Sequence, residues 1–246
     1  VSAIIDNQFN IDSAASISMD TLHGDTIKEV IPKASYDSLV SKIHKLELTQ
    51  TGRKNLYRFF EQLENDSLTR IMHYGDSQIE GDRMTAFIRN KLQVKFGGSG
   101  LGLRPALQPY DFIFSARQEN SDNWKRYPLY GKLDSLVDHR KYGAMAALSR
   151  FAPLTYDSIP FRPTTNYRAE LNIAATNFSF DLTRRYEYFR MFYGNAKEPV
   201  QIRLGANGKI VLRDSLKANI DYGVIECDLP DTTDNISLLF EGFDSP

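Results

Sequence analysis

Residues 200–212 have the sequence VQIRLGANGKIVL, in which two alternating runs flank a turn signal. Apolar and polar residues alternate through 200–204, which is the period of a strand that buries one face. Asn207-Gly208 between two such runs is a strong short-range signal for an antiparallel hairpin. This stretch therefore predicts two antiparallel strands joined by a tight turn.

The same period of two continues on both sides of the hairpin. It is found in residues 168–173, 188–193, 223–229 and 235–240. Short strands at regular spacing, separated by turn signals, are typical of an antiparallel β-sandwich. We therefore expect the chain after Pro105 to be built from antiparallel strands.

The preceding segment has a different pattern, which favours α/β structure. Apolar residues recur at helical spacing in 53–65 and again in 79–94, and the second helix should end at the glycines of 96–102. Between the two helices, the apolar run 68–74 suits a buried strand that leads into a sharp turn. An arm with a helix near 36–46 is expected before this segment.

Composition excludes two classes of function. The chain has 30 Lys+Arg against 31 Asp+Glu, so it lacks the basic surplus with which proteins bind nucleic acids. It contains no apolar run of about 18 residues, so no transmembrane segment is expected. Residues 1–20 lack the basic start and the apolar block of a signal peptide.

A serine, Ser77, lies at the turn between the predicted strand and the second helix, in the sequence HYGDSQIEGDR of residues 73–83. The N-terminus of a helix offers N–H groups and a partial positive charge that can hold an oxyanion. Serine is a weak nucleophile by itself and needs a base, normally histidine, that a third group orients. The arrangement is that of an activated nucleophile.

The motif HYGDSQIEGDR, together with FGGSGLG at residues 96–102, resembles the first block of the SGNH/GDSL hydrolases. The closer likeness is to a subgroup of bacterial GDSL-like esterases that carry an inserted β-domain. The resemblance implies an α/β protein: the N-terminal part of a flavodoxin-like three-layer hydrolase fold, followed by an inserted antiparallel β-sandwich domain. The alternative is a structural turn in an unrelated α/β protein.

The resemblance also divides the chain. Residues 1–50 would be an N-terminal arm, and 51–106 the first part of the hydrolase domain. Residues 107–242 would be the inserted β-sandwich domain. Residues 243–246 would lead back toward the rest of the hydrolase domain, a C-terminal portion that this sequence does not contain.

The site residues follow from the motif position by position. Ser77 matches the nucleophile, and its backbone N–H would be one oxyanion donor. Asp76 matches the aspartate that braces the turn, and it is not assigned as the acid of a triad. Gln78 and Asp82 match later motif positions, where they should shape the turn and the helix start, and Gln78 is also a candidate substrate-binding residue.

The base for Ser77 is not evident. The family supplies it from an Asp-x-x-His near its C-terminus, and the C-terminal part of this sequence contains no Asp-x-x-His. We expect His139 to be a surface-loop residue and His73 to be a packed strand residue, while His23 and His44 lie in the N-terminal arm. The chain would therefore contain half of an active site, and its activity alone should be absent or very low.

Aromatic residues in the β-rich part could serve either a sandwich core or the stacking of sugar rings. Trp124 is the best sugar-stacking candidate because its flanks, residues 120–125, are polar and loop-like. The aromatic candidates are Trp124, Tyr127, Tyr130, Tyr142, Tyr156 and Tyr167.

The function that the resemblance implies is a serine esterase that removes acyl groups, such as acetyl, from a carbohydrate or cell-wall polymer. It needs no metal and no organic cofactor, and its location would be periplasmic or extracellular. The alternative is a non-catalytic carbohydrate-binding protein on an incomplete hydrolase scaffold. A lipase-like enzyme is a weaker third reading, because no long apolar lid segment is present.

Overall fold

The structure of the protein is a computed structural model that describes residues 47–65, 68–137, 139, 141–154 and 164–245. The chain divides into two units, Val1–Tyr57 and Arg58–Pro246. Most of the first unit, including the helix predicted near 36–46, lies outside the described residues. Nearly all of the described structure therefore belongs to the second unit.

The described residues form two α-helices, a 3₁₀ helix and nine strands. Helix α1 is Gln50–Glu64, and helix α2, Arg83–Phe96, follows directly on the 3₁₀ helix Ser77–Asp82. No helix in these ranges is long and apolar enough to cross a membrane. The strands are β1 Ala116–Asn120, β2 Lys125–Pro128, β3 Ala147–Arg150, β4 Tyr167–Ala175, β5 Tyr188–Ala196, β6 Val200–Ala206, β7 Lys209–Leu216, β8 Asn219–Asp228 and β9 Asn235–Gly242.

The hairpin predicted at residues 200–212 is confirmed. Strands β6 and β7 pair antiparallel, with Ala206 opposite Lys209. The two turn residues have positive φ angles, 47° at Asn207 and 77° at Gly208, as a type I′ turn requires. Asn and Gly tolerate this conformation best, so the turn chemistry specifies the register of the hairpin.

The strands form one large sheet and two small ones, and every pairing is antiparallel. The large sheet has five strands in the order β1-β4-β9-β6-β7. Strands β2 and β3 form one two-stranded sheet, and β5 and β8 form the other, which we call the β5–β8 ribbon. The antiparallel strands expected after Pro105 are thus present.

One hydrophobic core joins the five-stranded sheet and the ribbon. In β6, the buried Val200, Ile202 and Leu204 alternate with the exposed Gln201 and Arg203. Alternate residues of β4 and β9 are buried in the same way, because successive side chains of a strand point to opposite faces. The ribbon adds the following residues to this core: Phe189, Met191, Tyr193, Ile225 and Cys227.

The prediction of a flavodoxin-like three-layer α/β fold is wrong. The described structure is predominantly antiparallel β-sheet, and it contains none of the parallel strands that the α/β fold needs. The predicted buried strand 68–74 belongs to no sheet, and its apolar residues Leu68, Ile71 and Met72 are exposed. An apolar run becomes a strand only where neighbouring strands satisfy its backbone, and no described strand does so here.

A buried ion pair connects the end of β3 to the residues that follow β9. Asp244, just after β9, forms a salt bridge with Arg150 at the end of β3, and both side chains are almost fully buried. The other carboxylate oxygen of Asp244 accepts a hydrogen bond from the Lys197 N–H at 2.6 Å. The neighbouring Ser245 Oγ accepts one from the Phe151 N–H at 2.9 Å. Residues 244 and 245 therefore belong to the packed interior.

We expect Asp244→Ala to lower the free energy of unfolding by about 3–5 kcal/mol, because it leaves the Arg150 guanidinium buried without its charge partner. The measurement is urea unfolding followed by circular dichroism. Glu241→Ala is the matched control, since Glu241 pairs with Arg203 at 2.6 Å on an exposed face. The control should cost less than about 1 kcal/mol, and equal losses in the two variants would contradict the prediction.

Candidate active site

Ser77 lies at the beginning of the 3₁₀ helix, and Asp76 holds the turn. The Asp76 Oδ1 atom accepts a hydrogen bond from the Gln78 N–H at 2.9 Å, and its carbonyl oxygen accepts one from the Ile79 N–H at 3.2 Å. Asp76 is the N-cap of this helix, with φ −94°. Since Gln78 and Ile79 donate to Asp76, the Ser77 N–H is the donor that remains for the oxyanion role that the resemblance assigns to it.

A side chain at position 75 would displace that of Ile79. A Cβ atom on Gly75 would lie 2.9 Å from the Ile79 Cγ2 atom, which is closer than real contacts allow. Ser77 and Gln78 are both exposed, and no hydrogen bond of the Ser77 hydroxyl is found within the described part of the chain. The hydroxyl is therefore open to solvent, at the end of a closely packed turn.

A second Asp-Ser turn in the chain shows which features are specific to Ser77. At Asp134-Ser135, the Asp134 Oδ1 atom accepts a hydrogen bond from the Leu136 N–H at 3.0 Å, and its carbonyl oxygen accepts one from the Val137 N–H at 3.1 Å. This repeats the hydrogen bonds of Asp76. However, the described residues that follow Ser135 form no helix, whereas the 3₁₀ helix and α2 follow Ser77. The helical continuation therefore distinguishes the candidate nucleophile.

Helix α2 begins later than the sequence indicates. Where the helix was predicted to begin, the chain forms a short 3₁₀ segment with a kink at Glu80 and Gly81, and α2 begins only at Arg83. The cause is local backbone geometry: Gly81 has φ 73° and Asp82 has φ 65°, both in the left-handed region. This conformation interrupts a right-handed helix and reorients the chain between Ser77 and α2.

Asp82 is the polar centre of this region. Its carboxylate accepts hydrogen bonds from the Ser115 hydroxyl at 2.6 Å, from the Thr85 hydroxyl, and from the Arg89 guanidinium at 3.0 and 3.3 Å. Ser115 is fully buried and directly precedes β1. Asp82 therefore connects the start of α2 to the first strand of the large sheet.

The charge of Asp82 is stabilised by this arrangement. Burial by itself would raise its pKa, but the hydrogen bonds from Arg89, Ser115 and Thr85, together with the charge of Arg89, hold the pKa below its usual range. Arg104 also lies near Asp82, and burial lowers the pKa of its guanidinium. Asp82 is thus an anion that two arginines surround, and its role is to hold α2 in place.

Sequence reasoning found Asp82 and missed its partners. Arg89 lies seven residues after Asp82, two helical turns along the same face, so its proximity could have been inferred from helix periodicity. Ser115 lies thirty-three residues away in sequence, and no local pattern points to it.

We expect Asp82→Asn to lower the free energy of unfolding at pH 7 by about 2–3 kcal/mol, because it removes the negative charge between buried donors. A carboxylate whose pKa is lowered by folding stabilises the protein above its unfolded-state pKa of about 4, and this contribution is lost as the pH falls through the folded-state pKa. The difference in the free energy of unfolding between wild type and Asp82→Asn should therefore become smaller below about pH 4. Urea unfolding at several pH values measures it.

The matched control is Glu119→Gln, which removes an exposed carboxylate that pairs with Arg117. It should leave the pH dependence of stability unchanged, because exposed pairs are screened by solvent. If the difference in the free energy of unfolding between wild type and Asp82→Asn stays constant down to about pH 2, Asp82 is not a carboxylate whose charge stabilises the fold.

No described histidine is bonded to Ser77. His73, four residues before Ser77, is exposed rather than packed in a strand, which corrects its predicted environment. The Nδ1 atom of His139 accepts a hydrogen bond from the Lys141 N–H at 3.1 Å in a loop. His23 and His44 lie outside the described residues. The described part of the site thus contains a serine with a braced turn and no base.

Trp124 is half-buried at the edge of the core. Its ring makes edge-on contacts with Phe151 and Phe240, with centroids 5.4 and 5.6 Å apart, and its indole N–H donates to the Glu170 carbonyl at 3.0 Å. These contacts give Trp124 a structural role that its polar flanks do not indicate. Its role in sugar binding stays a prediction, which rests on the part of the ring that remains exposed.

The other aromatic candidates differ in exposure. Tyr127 and Tyr142 are buried, Tyr167 is half-buried, and Tyr130 is exposed, while Tyr156 lies outside the described residues. Of the described tyrosines among these candidates, Tyr130 alone presents most of its ring to solvent.

We expect Trp124→Ala to lower the free energy of unfolding by about 3 kcal/mol, because it removes the ring contacts with Phe151 and Phe240 and the indole hydrogen bond to Glu170. Thermal unfolding followed by circular dichroism measures the change. Tyr130→Ala is the control for the loss of an exposed ring and should cost less than about 1 kcal/mol. A Trp124→Ala variant as stable as wild type would show that the indole does not anchor the core.

In comparisons with known proteins, no protein-family model matched this chain, and no curated protein matched it. The resemblance to SGNH/GDSL hydrolases is therefore a resemblance of the motifs at residues 73–83 and 96–102 alone.

Proposed function

We propose that the protein is an SGNH/GDSL-type serine esterase that removes acyl groups from a carbohydrate or cell-wall polymer. One observation carries this proposal. The Ser77 hydroxyl is open to solvent at the first residue of a helical segment, directly after a turn that Gly75 and Asp76 hold in shape. The periplasmic or extracellular location implied by the family resemblance belongs to the same proposal.

The chemistry assigned to this site is acyl transfer. Ser77 Oγ attacks the ester carbonyl carbon while a base takes the hydroxyl proton, and the Ser77 N–H binds the oxyanion. The tetrahedral intermediate collapses to an acyl-serine as its bond to the sugar oxygen breaks, and the base gives its proton to that oxygen, which leaves as a hydroxyl group. Water then attacks the acyl-serine by the same route, which releases the carboxylic acid and restores Ser77.

We propose that the base comes from a portion of polypeptide outside the described residues, with the Asp-x-x-His of the family. The surface near Ser77 supports this idea, because large apolar side chains are exposed along the chain on both sides of the turn. Such exposure is typical of surfaces that receive further polypeptide. These residues are Leu68, Ile71, Met72, Met84, Phe87, Ile88 and Val94.

A second candidate is a non-catalytic carbohydrate-binding protein. The observation that favours it is that no described histidine bonds to the Ser77 hydroxyl. Without a base, serine is a weak nucleophile and the turn would have only a structural role.

A fluorophosphonate probe tests the esterase proposal on the protein as its source organism makes it. We expect the probe to label Ser77, located by mass spectrometry of the peptides, and Ser77→Ala to lower ester hydrolysis by about 10³-fold or more.

Ser135→Ala is the matched control, since Ser135 is an exposed serine in a turn with the same hydrogen bonds. It should leave both labelling and hydrolysis unchanged. If the folded natural protein shows no labelling at Ser77 with fresh probe, the esterase proposal fails and the binding protein is favoured.

A further inference from the structure

The outer face of the β5–β8 ribbon is aromatic. Because side chains alternate along a strand, Tyr188, Arg190 and Phe192 of β5 lie on the face opposite the core. The register places Glu226 opposite Arg190, Val224 opposite Phe192, and Tyr222 opposite Gly194 on the same face. The exposed fractions are 48% for Tyr188, 43% for Phe192, 64% for Tyr222 and 42% for Val224.

This composition departs from what an antiparallel sheet normally shows. When one face packs on a core, the solvent face of such a sheet is polar. On the outer face of the five-stranded sheet lie Gln201 and Arg203 of β6 and Glu241 of β9, and the apolar residues beside them, Ile210 and Leu239, are aliphatic. The aromatic outer face of the ribbon is therefore specific to the ribbon.

Packing of the core does not explain these outward rings. The inner residues Phe189, Met191 and Ile225 already attach the ribbon to the core. Gly223 lies beneath the Tyr193 ring on that inner side, where a Cβ atom would come within 2.4 Å of the ring. Among the described residues, the ribbon packs on the core through its inner face, and the side chains of its outer face are exposed to solvent.

The groups on the outer face form an ordered platform. Phe192 and Tyr222 are stacked, with centroids 5.6 Å apart and planes 18° apart. Arg190 lies over the Tyr188 ring at 5.4 Å, donates to the Tyr188 hydroxyl at 3.3 Å, and forms an ion pair with Glu226 at 2.8 Å. Two aromatic groups therefore lie on either side of a charged pair, with Tyr188 and Phe192 about 13 Å apart along the strand.

We propose that the outer face of the β5–β8 ribbon binds a glycan chain. A sugar ring has an apolar C–H face that can stack on an aromatic ring, and hydroxyl groups at its rim that bond to planar polar groups. Phe192 with Tyr222, and Tyr188, supply two stacking positions. Arg190 supplies hydrogen-bond donors between them, and Glu226 supplies acceptors.

Other classes of partner fit this surface less well. A stable protein interface buries about 800 Å² on each side, more than a few side chains on two strands provide. Single-stranded nucleic acid also stacks on aromatic rings, but it needs a positively charged groove. On this face Arg190 is paired with Glu226, and a second acidic residue, Asp228, lies opposite Tyr188, so the face has no positive surplus.

This inference shares its carbohydrate class with the proposed function but needs no catalysis at Ser77. The test is affinity gel electrophoresis of the 246-residue chain in gels that contain xylan, acetylated xylan or hydroxyethyl cellulose, with pull-down on insoluble peptidoglycan. We expect retardation or retention by at least one of these glycans. Phe192→Ala and Tyr222→Ala should each lower the affinity for that glycan about tenfold, since each variant removes a stacking surface.

Two control variants show whether a loss of glycan binding is specific to the ribbon. Phe178→Ala removes a ring that is 64% exposed in the turn after β4, and it should bind like wild type. Ser77→Ala should also bind like wild type, so that failure of the esterase proposal and failure of this one are distinguishable. Unfolding curves of the ribbon variants should match that of wild type, because the substituted rings point outward.

Three outcomes would overturn the inference. They are no retention by any of the four glycans, retention that the two ribbon variants leave unchanged, and retardation by an oligo(dT) strand in place of the glycans. The last outcome would assign the platform to single-stranded nucleic acid.

Discussion

The burial of alternate side chains from the five-stranded sheet and the ribbon in one core is the constraint on which the rest of the structure depends. Each strand can give the core only every second residue, so the opposite positions are free of packing. In β6 those positions are polar, as in Arg203. In the ribbon they hold the aromatic residues Phe192 and Tyr222, and the same core that anchors the ribbon presents them to solvent.

The candidate active site depends on this core through Asp82. Its carboxylate receives hydrogen bonds from Arg89 of α2 and from the buried Ser115 before β1, so the Ser77 turn is attached to the β-structure at one charged group. The turn itself is held locally by Asp76. The protein thus presents the candidate nucleophile Ser77 at one place and an aromatic platform at another, and an esterase of polymeric carbohydrate would use both.

Local parts of the fold and the site were predictable, and non-local parts were not. The Asn207-Gly208 turn and the glycine stop after Phe96 depend on backbone conformations that few residues adopt, so the sequence indicates them. The turn at Ser77 is set by Gly75 and Asp76, within two residues on either side. By contrast, the run 68–74 was wrongly predicted as a buried strand, because burial depends on partner strands that periodicity does not show.

The sequence by itself determined the positions of strands β4 to β9 and the turn before a helix in which Ser77 lies. Only the tertiary structure decided that Trp124 packs on Phe151 and Phe240, and that Asp82 binds Ser115. It also decided that β5 pairs with β8, which brings Tyr222 against Phe192. The reason is physical: turns and periodicity follow from neighbours in the chain, whereas these contacts join residues whose proximity depends on how the strands pair and pack.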